Sequence, residues 1–387
     1  MSTSESVRSM LWKNNGRVRF LEAHDRNSRE IIRNVVGDDG QSFHGVWISG
    51  LTQTTYLGVP DTELISPLKR ASLMIGFTDN PRQTTTRRPL CVAFDADSGG
   101  NVADIPALVV LLASKGISMI VIEDKCVGDE PRKKVNSLKE TSGLQGQANM
   151  NDFANIIRSF KSTPGHEEMM ITARIESFTV RIPKKDEVEE ETSIQDALHD
   201  ALLRAKVYRN AGADAIMIHS KSALPDEVLS FLTKYRSSDS VTPLVVVPTT
   251  YSKITENTLY DAGANMIVYA NHLMRARICA MGEVSDRFLA ETPNFIPQDA
   301  ELKACLETRN FGCLSRRILA LKDDLGDEAK QYQVDMEKRA TENMNTVAKR
   351  LLNGKMASAA DAYIISVQEL LKSNSNQISV VDKLTEE

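Results

Sequence analysis

The stretch IPALVVLLASKGISMIVIEDK, running from Ile105 to Lys125, contains one complete structural unit. Ile105–Ser114 is apolar and of helical length, Gly116 ends it, Ile117–Ile122 is continuously apolar, and Glu123-Asp124-Lys125 places charge where that run stops. Glycine tolerates the left-handed conformation that closes a helix, so Gly116 reads as a stop that feeds a strand. A continuous rather than alternating apolar strand is the pattern of a parallel strand buried on both faces. The same stop recurs in Asn-Ala-Gly212-Ala and Asp-Ala-Gly263-Ala, after the helical stretches Asp196–Asn210 and Thr255–Asp261, and Asp152–Phe160 is another such stretch.

Working outward, the other strand candidates are Val18–Ala23, Gly45–Ser49, Leu90–Phe94, Met169–Ile175, Ala215–Ile218, Leu244–Val247 and Met266–Tyr269. Polar residues stand at their C-terminal ends: Ser49-Gly50-Leu51, Asp95-Ala96-Asp97, Arg174-Ile175-Glu176, His219-Ser220-Lys221 and Asn271-His272. Chemistry gathered at successive strand C-termini is the pattern of an α/β fold of the (β/α)8 TIM barrel type, whose active site lies on that face. The barrel is expected over residues 1–297. Beyond it, 298–387 has helical periodicity without strands, in Leu302, Leu306, Ile318 and Leu321 and again in Met344, Val347, Leu351 and Leu352, with a loose tail after Ser373. Gly37–Ser42, Gly128–Lys134 and the charged Pro183–Thr192 read as solvated loops, the last as disordered.

The 47 basic and 52 acidic residues leave a net charge of −5, which favours neither nucleic acid nor a membrane surface as partner and leaves small molecules. The cysteines Cys91, Cys126, Cys279, Cys305 and Cys313 form no CxxC pair, which argues against a disulfide framework or a zinc site. No run of about 18 apolar residues spans a bilayer, and Ser2–Arg17 has no apolar secretion core. A cytoplasmic protein is expected.

Asp95 and Asp97 stand two apart, so a strand continuing past Asp95 aims both the same way, and Glu123 follows the neighbouring strand. Three carboxylates in one mouth repel one another unless a cation neutralises them. Magnesium suits such a mouth, because it binds through one or two carboxylates and keeps room for water and substrate oxygens. One such acid alone would more simply cap a helix. Arg174 leaves an apolar strand, where a guanidinium needs an anion, either a substrate or the internal Glu123 or Glu176. His219 is suited to donate to a phosphoryl or carboxylate oxygen, although strand-end histidines also serve structure. Ser49, Gly50 and Leu51 offer a hydroxyl and successive amides. Lys133-Lys134-Val135-Asn136-Ser137-Leu138 ends a loop able to close over an anion, with Lys134 and Asn136 donating; a solvated charge run is the alternative.

Phe20-Leu-Glu-Ala-His24, Trp47-Ile-Ser-Gly-Leu51, Leu57-Gly-Val-Pro-Asp61, Asp95-Ala-Asp97, Ile122-Glu-Asp-Lys125, Asn136-Ser-Leu138, Ala173-Arg-Ile-Glu-Ser-Phe178, Tyr208-Arg-Asn-Ala-Gly-Ala-Asp214, His219-Ser-Lys221, Val247-Pro-Thr249 and Ala270-Asn-His272 follow one another in the chain. As a set they resemble the phosphoenolpyruvate mutase and isocitrate lyase superfamily, and within it the phosphoenolpyruvate mutases.

The resemblance implies a magnesium-dependent isomerase that moves a phosphoryl group within one molecule between phosphoenolpyruvate and phosphonopyruvate. It implies Asp95 as the residue contacting magnesium, with Asp97, Glu123 and Asp61 supporting the ion through water. Ser49, Gly50 and Leu51 would hold the pyruvyl oxygens, and Arg174 and His219 would face the transferring group. Lys134 and Asn136 would come from a gating loop, which here is longer than the family's usual form and leaves Lys133 in competition with Lys134. A homotetramer exchanging a helix within Leu302–Leu321 is implied as well. Phosphonopyruvate hydrolase shares the magnesium site, but Asn136 favours the mutase. A carbon–carbon lyase lacks its Lys-Arg-Cys-Gly-His type motif here, while oxaloacetate decarboxylation and a non-enzymatic barrel are further alternatives.

Overall fold

The computed structural model describes residues 5–38, 40–59, 61–74, 88–125, 146–167 and 169–290, excepting the side chains of 282–290. The strands are β1 (Val18–Glu22), β2 (Gly45–Ile48), β3 (Cys91–Asp95), β4 (Met119–Glu123), β5 (Met170–Ile175), β6 (Ala215–Ile218), β7 (Leu244–Val246) and β8 (Met266–Tyr269). They pair in sequence order, all parallel, and β8 returns to β1 to close the barrel. The eight expected strands thus fall within a residue or two of their places.

The helices are α1 (Val7–Lys13), α2 (Arg26–Asn34), α3 (Gly50–Leu57), α4 (Pro67–Ser72), α5 (Ile105–Ser114), α6 (Met150–Ser162), α7 (Ser177–Val180), α8 (Glu187–Asn210), α9 (Asp226–Arg236), α10 (Glu256–Asp261) and α11 (His272–Ala290). Gly116, Gly212 and Gly263 all have positive φ, the conformation their position after a helix requires.

Two apolar layers follow from the strand alternation. Val46, Ile48, Ile120, Ile122 and Ile171 face the surrounding helices. Phe20, Trp47, Met119, Met217 and Met266 fill the barrel, and Val7, Met10 and Leu11 of α1 join them. A fully buried side chain of this size stabilises the fold by about 1.5–3 kcal/mol. At Gly45 a Cβ would come within 2.3 Å of the Phe20 ring, so only glycine fits beside that interior phenylalanine.

The structure corrects the reading of Pro183–Thr192 as a solvated, disordered loop: α8 begins inside it. Asp186 accepts from the Val188 and Glu189 amides at 3.0 Å each, and Glu187, Glu189 and Glu190 occupy the first turn. Negative charge there complements the helix dipole, and Arg181 pins the turn through Glu190 at 2.6 Å. Residues 298–387, with the proposed helical extension and exchanged helix, lie outside the described residues. Among the described residues no helix is long and apolar enough to cross a membrane.

Candidate active site

One cavity at the C-terminal ends of the strands is lined by Ser49, Leu51, Asp61, Asp95, Asp97, Glu123, Arg174 and His219. Five strand ends and the loop after α3 therefore bring together every candidate within the described residues except Gly50, which underlies the cavity through its amide. Lys134 and Asn136, with Lys133, lie outside the described residues.

The β2–α3 turn is built by Ser49, the N-cap of α3. The Gly50 amide donates to Asp95 Oδ2 at 3.1 Å, which joins the turn to the end of β3. Leu51 N–H lies in the first turn of α3, where no intrahelical acceptor exists. The turn therefore keeps donor capacity toward the cavity.

Asp97 departs from the expected geometry. β3 stops at Asp95, and Asp97 follows with φ of 48°, a left-handed conformation that non-glycine residues seldom adopt. Its amide donates to Asp95 Oδ1 at 3.2 Å, and its carbonyl accepts from the Glu123 amide at 2.7 Å. The turn, not a continued strand, directs both aspartates into the cavity.

The acidic mouth also holds protein cations, Lys125 just past the end of β4, where the sequence put it, and Arg70, which the sequence did not signal. Arg70, 1% exposed, meets Asp97 Oδ2 at 2.6 Å, while Lys125 pairs with Glu123. Burial opposes the Lys125 ammonium, but Glu123 and further carboxylates hold its pKa above the usual range. Burial, reinforced by Asp95 and opposed by Lys125, lifts Asp61 to about 6. Burial likewise raises Asp97 against the pull of Arg70. Asp95 forms no ion pair among the described residues; its two oxygens accept only the Gly50 and Asp97 amides. Arg70 and Arg174 attract its charge without pairing with it directly, which leaves the carboxylate able to meet an external cation. Among the described residues no three His, Cys, Asp or Glu side chains converge closely enough to chelate a metal alone. A cation at Asp95 would complete its shell with water and substrate oxygens, a donor set that suits magnesium.

On the other wall, Arg174 reaches Glu123 Oε2 at 3.2 Å and Glu176 Oε1 at 2.5 Å. Both internal anions considered for it are thus engaged, and they keep its guanidinium firmly charged although burial opposes it. Next to it, His219 is 3% exposed, and burial with the Arg174 charge drives its pKa far down, so the imidazole is neutral. Its Nδ1 has no partner among the described residues, and neither do Thr249 Oγ1 and Asn271 Oδ1 on the same wall. Buried polar atoms left open around one cavity call for a polar ligand.

Arg70 and Glu63 were missed from sequence. Glu63 lines the cavity at φ 56° and accepts from Ser98 Oγ at 2.8 Å. Neither stands at a strand end, so strand-end chemistry could not signal them.

A family model described as phosphoenolpyruvate phosphomutase matches residues 7–289. The chain belongs to the phosphoenolpyruvate phosphomutase family. Among curated relatives, a phosphoenolpyruvate phosphomutase of Tetrahymena pyriformis is 31% identical over 287 residues, covering 73% of this chain and 84% of that protein. A phosphonopyruvate hydrolase of Variovorax sp. (strain Pal2) is 30% identical over 247 residues, covering 63% and 75%. The crystal structure of a phosphoenolpyruvate phosphomutase from Streptomyces platensis subsp. rosaceus superposes with a TM-score of 0.59 at 28% identity, covering 81% of this chain and 98% of that one. The phosphomutase family assignment agrees with the closed barrel and with a chain that is an enzyme.

Proposed function

We propose that this chain interconverts phosphoenolpyruvate and 3-phosphonopyruvate by intramolecular phosphoryl transfer, making or breaking a carbon–phosphorus bond in phosphonate biosynthesis with magnesium as cofactor. The observation that carries the reading is the meeting, in one cavity, of a turn with free donor capacity, an acid with no direct ion pair among the described residues, and a neutral imidazole beside a permanent guanidinium.

Ser49 and the Leu51 amide orient the pyruvyl oxygens, which fixes the acceptor carbon relative to the departing phosphorus. Arg174 carries its charge at any working pH and meets the negative phosphoryl oxygens. Neutral His219 offers a single N–H to the same group, so it aids charge stabilisation without giving up a proton. Asp95, with Asp97, Glu123 and Asp61 acting through water, would hold magnesium, which supplies positive charge against the enolate and phosphoryl oxygens. Lys134 and Asn136 are proposed to close over the group, Asn136 meeting its oxygens, so that water does not intercept it. In the balanced step the P–O bond of phosphoenolpyruvate breaks, a P–C bond forms at C3, and no water is consumed.

The test is phosphorus NMR of phosphonopyruvate incubated with the protein and magnesium, with Asp95→Ala as control. Conversion to phosphoenolpyruvate supports the mutase. The hydrolase relative at similar identity gives the second reading, and release of inorganic phosphate with pyruvate would establish it. An unchanged phosphorus spectrum would leave the carbon–carbon lyase, decarboxylase and non-enzymatic barrel readings. We propose in addition that the protein acts on a small anionic substrate as a cytoplasmic homotetramer. Truncation at Pro297 should then give smaller particles by light scattering, and an unchanged tetramer would refute the exchanged helix.

A further inference from the structure

Arg70 sits on α4, away from every strand end, yet its guanidinium is the common partner of both halves of the cavity. Nη1 donates to Gln53 Oε1 at 2.6 Å, and Gln53 belongs to α3, the helix that starts at the Ser49–Leu51 turn. Nη2 donates to the Asp95 carbonyl at 2.7 Å and to Asp97 Oδ2 at 2.6 Å. The guanidinium also lies over the Phe94 ring, 5.2 Å from its centre. A planar fork can serve three acceptors in fixed directions, which a lysine ammonium cannot reproduce.

We infer that Arg70 is a positioning residue and resident counter-ion: it balances the Asp97 charge from within the protein and clamps the substrate-facing turn to the acidic end of β3. Asp97 keeps its left-handed backbone because both its amide and its carboxylate are tied, and Asp95, which Arg70 attracts without a direct ion pair, keeps its carboxylate open to a cation. The consequence is that the folded protein does not need magnesium to tolerate its acidic mouth. The kinetic part of the test rests on the phosphoryl-transfer reading; the thermal part does not.

The experiment compares wild type, Arg70→Met and Arg70→Lys at pH 8, by thermal melting in EDTA and in magnesium and by phosphonopyruvate kinetics. Wild type should gain only the stabilisation of magnesium held at Asp95, whereas Arg70→Met should melt lower in EDTA and gain at least roughly 4 °C more from magnesium than wild type does, because a solution cation replaces the lost charge. Arg70→Lys keeps the charge but loses the fork. It should show the wild-type magnesium response with a fall of roughly tenfold or more in kcat and less change in KM. A magnesium response of Arg70→Met equal to wild type overturns the counter-ion, and wild-type kcat in Arg70→Lys overturns the clamp. If Arg70→Met does not fold even in magnesium, the counter-ion claim also fails, since the cation should have substituted. A wild type that turns over no phosphonopyruvate sinks the functional reading while the melting comparison still decides the counter-ion.

Discussion

Glu123 and Arg174 are register partners at the ends of β4 and β5, and their side chains meet at 3.2 Å across the cavity floor. The pair shares its cation with Glu176 and its anion with Lys125, so charge on this wall is balanced before any substrate arrives. Breaking a buried pair by removing one partner leaves an uncompensated charge, at a cost of roughly 3–5 kcal/mol. Arg174→Met should therefore lower the urea midpoint and, by removing the guanidinium proposed to face the transferring group, cut kcat/KM roughly 100- to 1,000-fold. Steady-state kinetics below the denaturation range separates the two effects. Activity near wild type would remove Arg174 from the chemistry.

Gly50→Ala addresses the opposite wall. A Cβ at this position would lie 3.0 Å from Asp97 Oδ1 and 3.3 Å from Asp95 Oδ2. Gly50 is the first residue of α3, where alanine suits the backbone, so the fold should be little disturbed. The displaced carboxylates, by contrast, should cost roughly tenfold or more in kcat/KM, since sub-ångström misplacement in an active site is expensive. A variant with a large drop in melting temperature and wild-type kcat would contradict this division.

The barrel was legible because buried parallel strands must be continuously apolar, as in Met119–Ile122, and because a polar residue ending such a run has one place to go. Asp95, Glu123, Arg174 and His219 were found that way, and all four line the cavity. Arg70 was not, because α4 spans only Pro67–Ser72, too short to show which face is inward, and its partner Asp97 is 27 residues away. Its existence also changes why the carboxylates coexist: Arg70 and Lys125 do part of what had been assigned to a metal. The neutral state of His219 comes from burial and from Arg174, neither of which is encoded near position 219.

The start of α8 shows composition misleading in the other direction, since Lys-Lys-Asp-Glu-Val-Glu-Glu-Glu has the charge density of a solvated loop. Its helix is specified by the Asp186 cap and by acids at the positive end of the dipole. Asp186→Ala should destabilise the protein by about 1 kcal/mol in urea denaturation, whereas Asp186→Asn or Asp186→Ser should be nearly silent. Equal stability of all three would mean that the cap contributes nothing.

The acid side of the stability profile turns on His44, on the far side of the barrel from the cavity. His44 Nδ1 accepts the Arg19 amide at 3.1 Å, and Nε2 faces Asn14 Oδ1 at 3.1 Å, so the ring is neutral with its proton on Nε2. Burial, then the charges of Arg19 and Arg88, lowers its pKa from 6.5 to about 4. The unfolded chain therefore takes up the proton first as pH falls. Stability should be lost from about pH 6.5 down to about pH 4, where protonation also breaks the Arg19 bond. The full displacement corresponds to roughly 3 kcal/mol, reduced by partial exposure to about 1–2 kcal/mol. Asp124 acts with opposite sign: burial, opposed by Arg204, lifts it to about 6, so the folded state binds its proton first and gains as pH falls through that range. These contributions overlap in the wild-type curve with that of Asp61, which burial also lifts to about 6. The difference between wild type and His44→Gln, which keeps an acceptor for the Arg19 amide but cannot titrate, isolates the histidine. Melting temperatures of the two proteins should draw together at pH 7.5 and separate toward pH 4.5 in favour of the variant. Parallel curves would show that His44 does not govern the acid limb.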